Sequence, residues 1–164
     1  MDPLNLLECI NEREDFRFDL VYPPETRVRS SVHWTPVGIA RRAAEFLVRK
    51  PGTRVLDIGC GPGKFCVVGA LTTHGRFTGI EQRKDLCDQA RSLIGQADVG
   101  NAEIIHGNVT DIDFSNFDAF YLFNPFEENL ETILKIDSNI KLSSALYERY
   151  TEHVARQLAI APLG

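Results

Sequence analysis

Apolar residues along this chain fall into two kinds of stretch that alternate over most of its length. Short, nearly continuous runs at Val55–Ile58, Gly75–Glu81, Ala102–His106 and Phe117–Phe123 are rich in β-branched and aromatic residues and predict four strands. Between them, Lys64–Leu71 and Arg83–Leu93 predict helices, the second with Leu86, Cys87, Ala90 and Leu93 along one side. Thr35-Pro36 supplies an N-cap and a first-turn proline for a helix running to about Arg49 and burying Val37, Ala40, Ala44, Leu47 and Val48; Pro51-Gly52 stops it. Ala145, Leu146, Tyr150, Val154 and Leu158 predict a last helix over Leu142–Ile160, broken by Ala161-Pro-Leu-Gly164. At the other end, Leu4–Asn11 predicts a short helix. Phe16–Tyr22 alternates in the manner of a strand or extended arm, and Pro23-Pro24 ends it.

The first of the four strands runs straight into Gly59-Cys-Gly-Pro-Gly63. Glycine at every second position removes three Cβ atoms where the backbone turns sharply, so that a ligand can lie against bare peptide at the strand's carboxyl end. Two phosphate loops fail on spelling. The dinucleotide fingerprint starting at Gly59 requires glycine where Lys64 stands, and the nucleoside-triphosphate loop requires glycine at Ile58 and a hydroxyl residue at Phe65. What remains is D-x-G-x-G-x-G beginning at Asp57. The second strand ends on an acid, Glu81, 18 residues after Gly63, a spacing that suits a carboxylate accepting from a ribose diol. After the third strand comes Gly107-Asn-Val109, and after the fourth Asn124-Pro-Phe126.

In this order and spacing, the four elements resemble the class I S-adenosylmethionine-dependent methyltransferases over about Ser30–Phe126. The resemblance implies an α/β fold, a Rossmann-like doubly wound parallel sheet of strand order 3-2-1-4. It also implies S-adenosyl-L-methionine as cofactor, held by Asp57, Gly59, Cys60, Gly61 and Gly63 on the methionine side and by Glu81 with Gln82 at the ribose. Asn108, in place of the family's usual aspartate, would accept from the adenine amino group, with Val109 against the adenine face. Asn124, Pro125 and Phe126 resemble the acceptor motif of enzymes that methylate amino nitrogens, with one proline fewer, and Asn124 would also border the cofactor. Ser30–Pro36 resembles the family's lid. Within it Trp34 is expected either to cover the ligand or simply to pack, and His33 to act as a base or as a surface histidine. The family fold continues with a fifth strand and an antiparallel hairpin, for which nothing after Gly164 remains. The expected organisation is therefore an N-terminal helix and lid segment over 1–34 and a C-terminally incomplete cofactor domain over 35–164.

Composition narrows the picture less. The 164 residues suit one domain, and 43% apolar with 25% charged content is ordinary for a globular chain. No run approaches the roughly 20 apolar residues of a membrane span. The N-terminus lacks a basic start followed by an apolar core, so a cytoplasmic protein is expected. Cys9, Cys60, Cys66 and Cys87 have neither C-x-x-C spacing nor a histidine at ligand spacing, so packed thiols rather than a metal site are expected. The net charge of −5 argues against indiscriminate nucleic-acid binding, yet Glu25–Arg54 carries a local balance of +5. That edge suits RNA, an acidic partner, or a solvated helix face. The acceptor class stays open among protein, RNA and small molecule, as does oligomeric state. A non-catalytic cofactor-binding module, or a partner subunit of another methyltransferase, is the alternative reading. A dehydrogenase is disfavoured by Lys64.

Overall fold

The computed structural model describes residues 3–130 and 135–161. Four parallel strands, β1 (Arg54–Ile58), β2 (Arg76–Glu81), β3 (Ala102–His106) and β4 (Ala119–Leu122), form one sheet of order β3-β2-β1-β4. This is the expected strand order, and the central β1 is covered on both faces. Alternation along the strand assigns its side chains to the two faces. Val55 joins a core shared with α1 (Pro3–Glu12), α5 (Val37–Leu47), α6 (Lys64–Thr72) and α7 (Lys84–Ala97). Leu56 and Ile58 join a second core with Phe114, Phe117 and two residues of α8 (Ser144–Ile160), Tyr150 and Val154. The helix α6 is buried from Lys64 through Ala70, which explains a composition apolar on all sides. Among the described residues no helix is long and apolar enough to cross a membrane.

The N-terminal segment departs from expectation. Phe16–Tyr22 forms the short helix α2 (Asp15–Asp19) and a turn instead of an extended arm. In Phe16-Arg-Phe-Asp-Leu-Val-Tyr the alternation is real, but Phe18 and Tyr22, four apart, are the two aromatics that bury. Their ring centroids are 6.4 Å apart, while Phe16 stays 80% exposed. Arg17 holds the turn by ion pairs to Glu8, Glu12 and Glu14. Two further turns of helix follow, α3 (Pro24–Arg27) and α4 (Ser30–His33), before the chain extends through Trp34.

The start of α5 also differs. Thr35 does not cap it; its hydroxyl pairs with the Tyr121 hydroxyl at 2.8 Å, and the Val37 N–H donates to Asp15, 22 residues earlier. The helices α7 and α8 match expectation closely. The Oγ of Ser143 accepts from the Leu146 N–H to start α8. Ala161 ends α8; the Pro162-Leu-Gly164 part of the expected break lies outside the described residues.

Candidate active site

At the carboxyl ends of β1, β2 and β4 lies a cavity of about 410 Å³. Its floor is the glycine turn. Gly59 (φ +73°) and Gly61 (φ +53°) both have left-handed backbone conformations that favour glycine, and both line the cavity. Each also has a neighbour that leaves no room for a side chain. A Cβ on Gly59 would come within 2.6 Å of Pro125, and one on Gly61 would overlap the indole nitrogen of Trp34. The turn is therefore where the lid and the β4 loop both meet bare backbone.

Glu81 forms the wall beside it and is almost fully buried. One carboxylate oxygen accepts from the Gly61 N–H at 3.1 Å and the other from the Arg83 N–H at 2.9 Å. A carboxylate has about four acceptor positions, so each oxygen retains one for an incoming hydroxyl. Burial raises the Glu81 pKa above its ordinary value, against the lowering effect of the Arg83 N–H and guanidinium. The arrangement fits a ribose diol.

Not every predicted residue reaches this cavity. Asp57 lies on the Val55 face of β1, turned toward α6, and its carboxylate accepts from the Cys66 thiol at 3.5 Å. Burial, with a smaller contribution from the Glu81 charge, pushes its pKa to about 7 against the lowering effect of the Cys66 thiol. The Cys60 thiol packs over Gly79 of β2, and Gly63 packs on Ala90 of α7; neither lines the cavity. These three residues shape the turn from behind. Gln82, Asn108 and Val109 do line the cavity. Asn108, however, turns its amide oxygen to the Thr110 N–H and hydroxyl, at 3.1 and 3.0 Å, and donates its NH2 to the Tyr150 hydroxyl at 2.8 Å. Reversing that amide would set donor against donor at Thr110, so the oxygen expected to meet the adenine amino group is already engaged.

Asn124, Pro125 and Phe126 also line the cavity, with Pro125 against Gly59. Asn124 is exposed and holds φ +47°, a left-handed conformation that asparagine tolerates better than most residues. Phe126 packs toward Tyr150, with ring centroids 5.4 Å apart. His33 lies in the lid wall, where burial holds its imidazole below the usual pKa, assisted by Arg29 and Arg83 against Glu128.

Two buried cations tie the walls to the sheet core, and neither is evident from pattern alone. Lys64, 2% exposed, pairs with Asp15 at 2.7 Å and Asp19 at 2.8 Å, reaches Ser30 at 3.2 Å, and lies 5.6 Å from the Phe18 ring centroid. It latches the N-terminal segment. Arg83 pairs with Glu128 at 2.8 Å and Asp137 at 2.9 Å, which latches the chain after β4. A lysine opening an otherwise apolar helix is the one sequence sign that buried acids must exist to meet it. Tyr150 reads in sequence as a core aromatic, and its hydroxyl contact with Asn108 has no sequence signal.

A family model described as a methyltransferase domain matches residues 49–159, more than half of the chain. The chain belongs to the class I S-adenosylmethionine-dependent methyltransferase family. The chain is 28% identical over 112 residues to a demethylmenaquinone methyltransferase of Listeria welshimeri, a match covering 66% of this chain and 48% of that one. The chain thus spans about half the length of the curated relatives it matches. In fold, it superposes on a mutant of the protein MtNAS with a TM-score of 0.55 and 17% identity, over 94% of this chain and 51% of the other. A precorrin-6Y C5,15-methyltransferase from Geobacter metallireducens gives a TM-score of 0.50 at 13% identity, covering 77% and 74%. Among the described residues no three His, Cys, Asp or Glu side chains converge as metal ligands.

Proposed function

We propose that the protein binds S-adenosylmethionine in the 410 Å³ cavity and directs its methyl group to an amino nitrogen. The observation that carries the reading is the convergence of three unlike features on one cavity: bare backbone at Gly59 and Gly61, the buried Glu81 carboxylate with open acceptor positions, and the exposed Asn124. When bound, the cofactor supplies a methyl group on a sulfonium that is already activated toward a nucleophile. The chain's own residues therefore mainly hold and orient. Gly59 and Gly61 would take the methionine portion, Glu81 would accept from the two ribose hydroxyls, and Val109 would lie against the adenine.

Asn124 and the Pro125 carbonyl would accept N–H bonds from the acceptor amine. That aims its lone pair and favours the positive charge that grows on nitrogen during transfer. Holding the two reactants in line could contribute about 7–11 kcal/mol to lowering the barrier. The amino-nitrogen assignment rests on Asn124-Pro-Phe126. The name of the relatives at 28% identity, demethylmenaquinone methyltransferase, lends that assignment no support of its own.

The test is formation of S-adenosylhomocysteine when the protein is incubated with S-adenosylmethionine and a desalted pool of primary amines. Asn124→Ala should lose turnover by at least tenfold while calorimetric affinity for S-adenosylhomocysteine holds. Unchanged turnover with unchanged affinity would remove the role of Asn124. Binding without turnover on any acceptor would leave the cofactor-binding module as the better reading.

A further inference from the structure

We infer that the methyl acceptor is a small amine carried on an apolar body, which rests on a collar at the cavity mouth; this builds on the methyltransferase reading above. The first observation is size. A volume of 410 Å³ lies toward the low end of pockets that enclose one drug-sized ligand. With the cofactor seated, the acceptor's reactive group reaches in while its body lies against the rim.

The second observation is what the rim is made of. Val32 on the lid is 49% exposed and Phe123 after β4 is 40% exposed, and both line the cavity. Water-facing apolar residues from two separate segments at one opening favour an apolar ligand. At the mouth Arg83 is paired with Glu128 and Asp137, Arg29 acts on the cavity-lining His33, and Glu127 is exposed, lines the cavity and has no ion pair among the described residues.

An apolar collar with one available carboxylate suits a cationic head on a hydrocarbon body. It suits RNA poorly, because phosphates would meet Glu127 and the apolar rim. It suits a polyamine poorly as well, because a second and third ammonium would lie on Val32 and Phe123. In the reaction the bound ammonium first gives a proton to water, the neutral amine then attacks the methyl carbon, the carbon–sulfur bond breaks with its electron pair going to sulfur, and the product leaves as the methylated ammonium in equilibrium with its free amine. The products are the methylamine and S-adenosylhomocysteine.

The test uses protein saturated with S-adenosylhomocysteine, titrated calorimetrically with butylamine, hexylamine and octylamine, and separately with octan-1-ol, spermidine and an oligouridylate. Affinity should rise about threefold per added methylene, and this slope should collapse in the Val32→Ser/Phe123→Ser double variant. Glu127→Gln should weaken octylamine while leaving octan-1-ol unchanged. A flat amine series, octan-1-ol binding as tightly as octylamine, or tighter binding of spermidine or the oligouridylate would each overturn the inference. Failure of S-adenosylhomocysteine itself to bind is a distinct result: it removes the methyltransferase reading and the collar with it.

Discussion

The indole of Trp34 lies so close to the backbone of Gly61 that one methyl group placed there would overlap its nitrogen. With Trp34 in place, the glycine turn therefore admits no side chain at residue 61. Gly61→Ala should destabilise the fold by about 1–3 kcal/mol, through the left-handed φ and the collision together. Adding Trp34→Ala should return the collision part but not the backbone part. Urea denaturation of the two single variants and the double variant measures that coupling directly, and strict additivity would mean the contact is not constraining.

Glu81→Ala should weaken S-adenosylhomocysteine binding by about 1–3 kcal/mol, the value of hydrogen bonds to a charged acceptor. The ionised carboxylate is the form that would accept from both ribose hydroxyls, and burial raises its pKa above the ordinary value. Wild-type affinity should therefore fall as pH drops through that raised value, and Glu81→Gln should show no such limb. Calorimetry across acidic to neutral pH supplies both comparisons. Equal affinities at all pH values would place the ribose elsewhere.

Asp57 produces a pH dependence of stability with the opposite sense to a paired carboxylate. Its pKa is about 7 in the fold and near 3.8 in the unfolded chain. Between those values the unfolded state has already lost the proton that the fold retains, so stability falls as pH rises from about 4 to about 7 and levels off above. The full effect is on the order of 4 kcal/mol. Asp57→Asn keeps an acceptor for the Cys66 thiol and cannot ionise. Its unfolding free energy should be flatter with pH over the same window and higher than wild type at pH 8.

Lys64→Met should cost about 3–5 kcal/mol, because it leaves the buried Asp19 with no cation beside it. Lys64→Met/Asp19→Leu should recover much of that loss. Limited proteolysis adds a local readout: cleavage between residues 13 and 36 should accelerate in the single variant and slow again in the double one.

How much of this was open to sequence reading depends on what each residue answers to. The strand, glycine turn and helix from Val55 to Thr72 obey local rules, namely β-branched runs, absent Cβ atoms and an apolar helix, and they are legible as such. The strand order follows from the resemblance of the whole pattern. The place of Asp57 follows from strand alternation: one step along a strand changes the face, so the residue next to a cavity-lining Ile58 turns toward Cys66 of α6. Phe16–Tyr22 misleads because an alternating sequence also offers an i, i+4 pair, and burial of Phe18 against Tyr22 selects the helix. The partners of Lys64, Arg83 and Asn108 lie between 34 and 54 residues away for the contacts that matter, and no local pattern carries that information.

The two latches have a consequence for how such a protein can change. Lys64 and Arg83 each grip one flank of the mouth from a separate root in the sheet-and-helix body, with no shared partner. Each flank is therefore expected to tolerate exchange for a different stretch of chain that keeps its acidic handle, while the glycine turn and Glu81 between them are left as they stand.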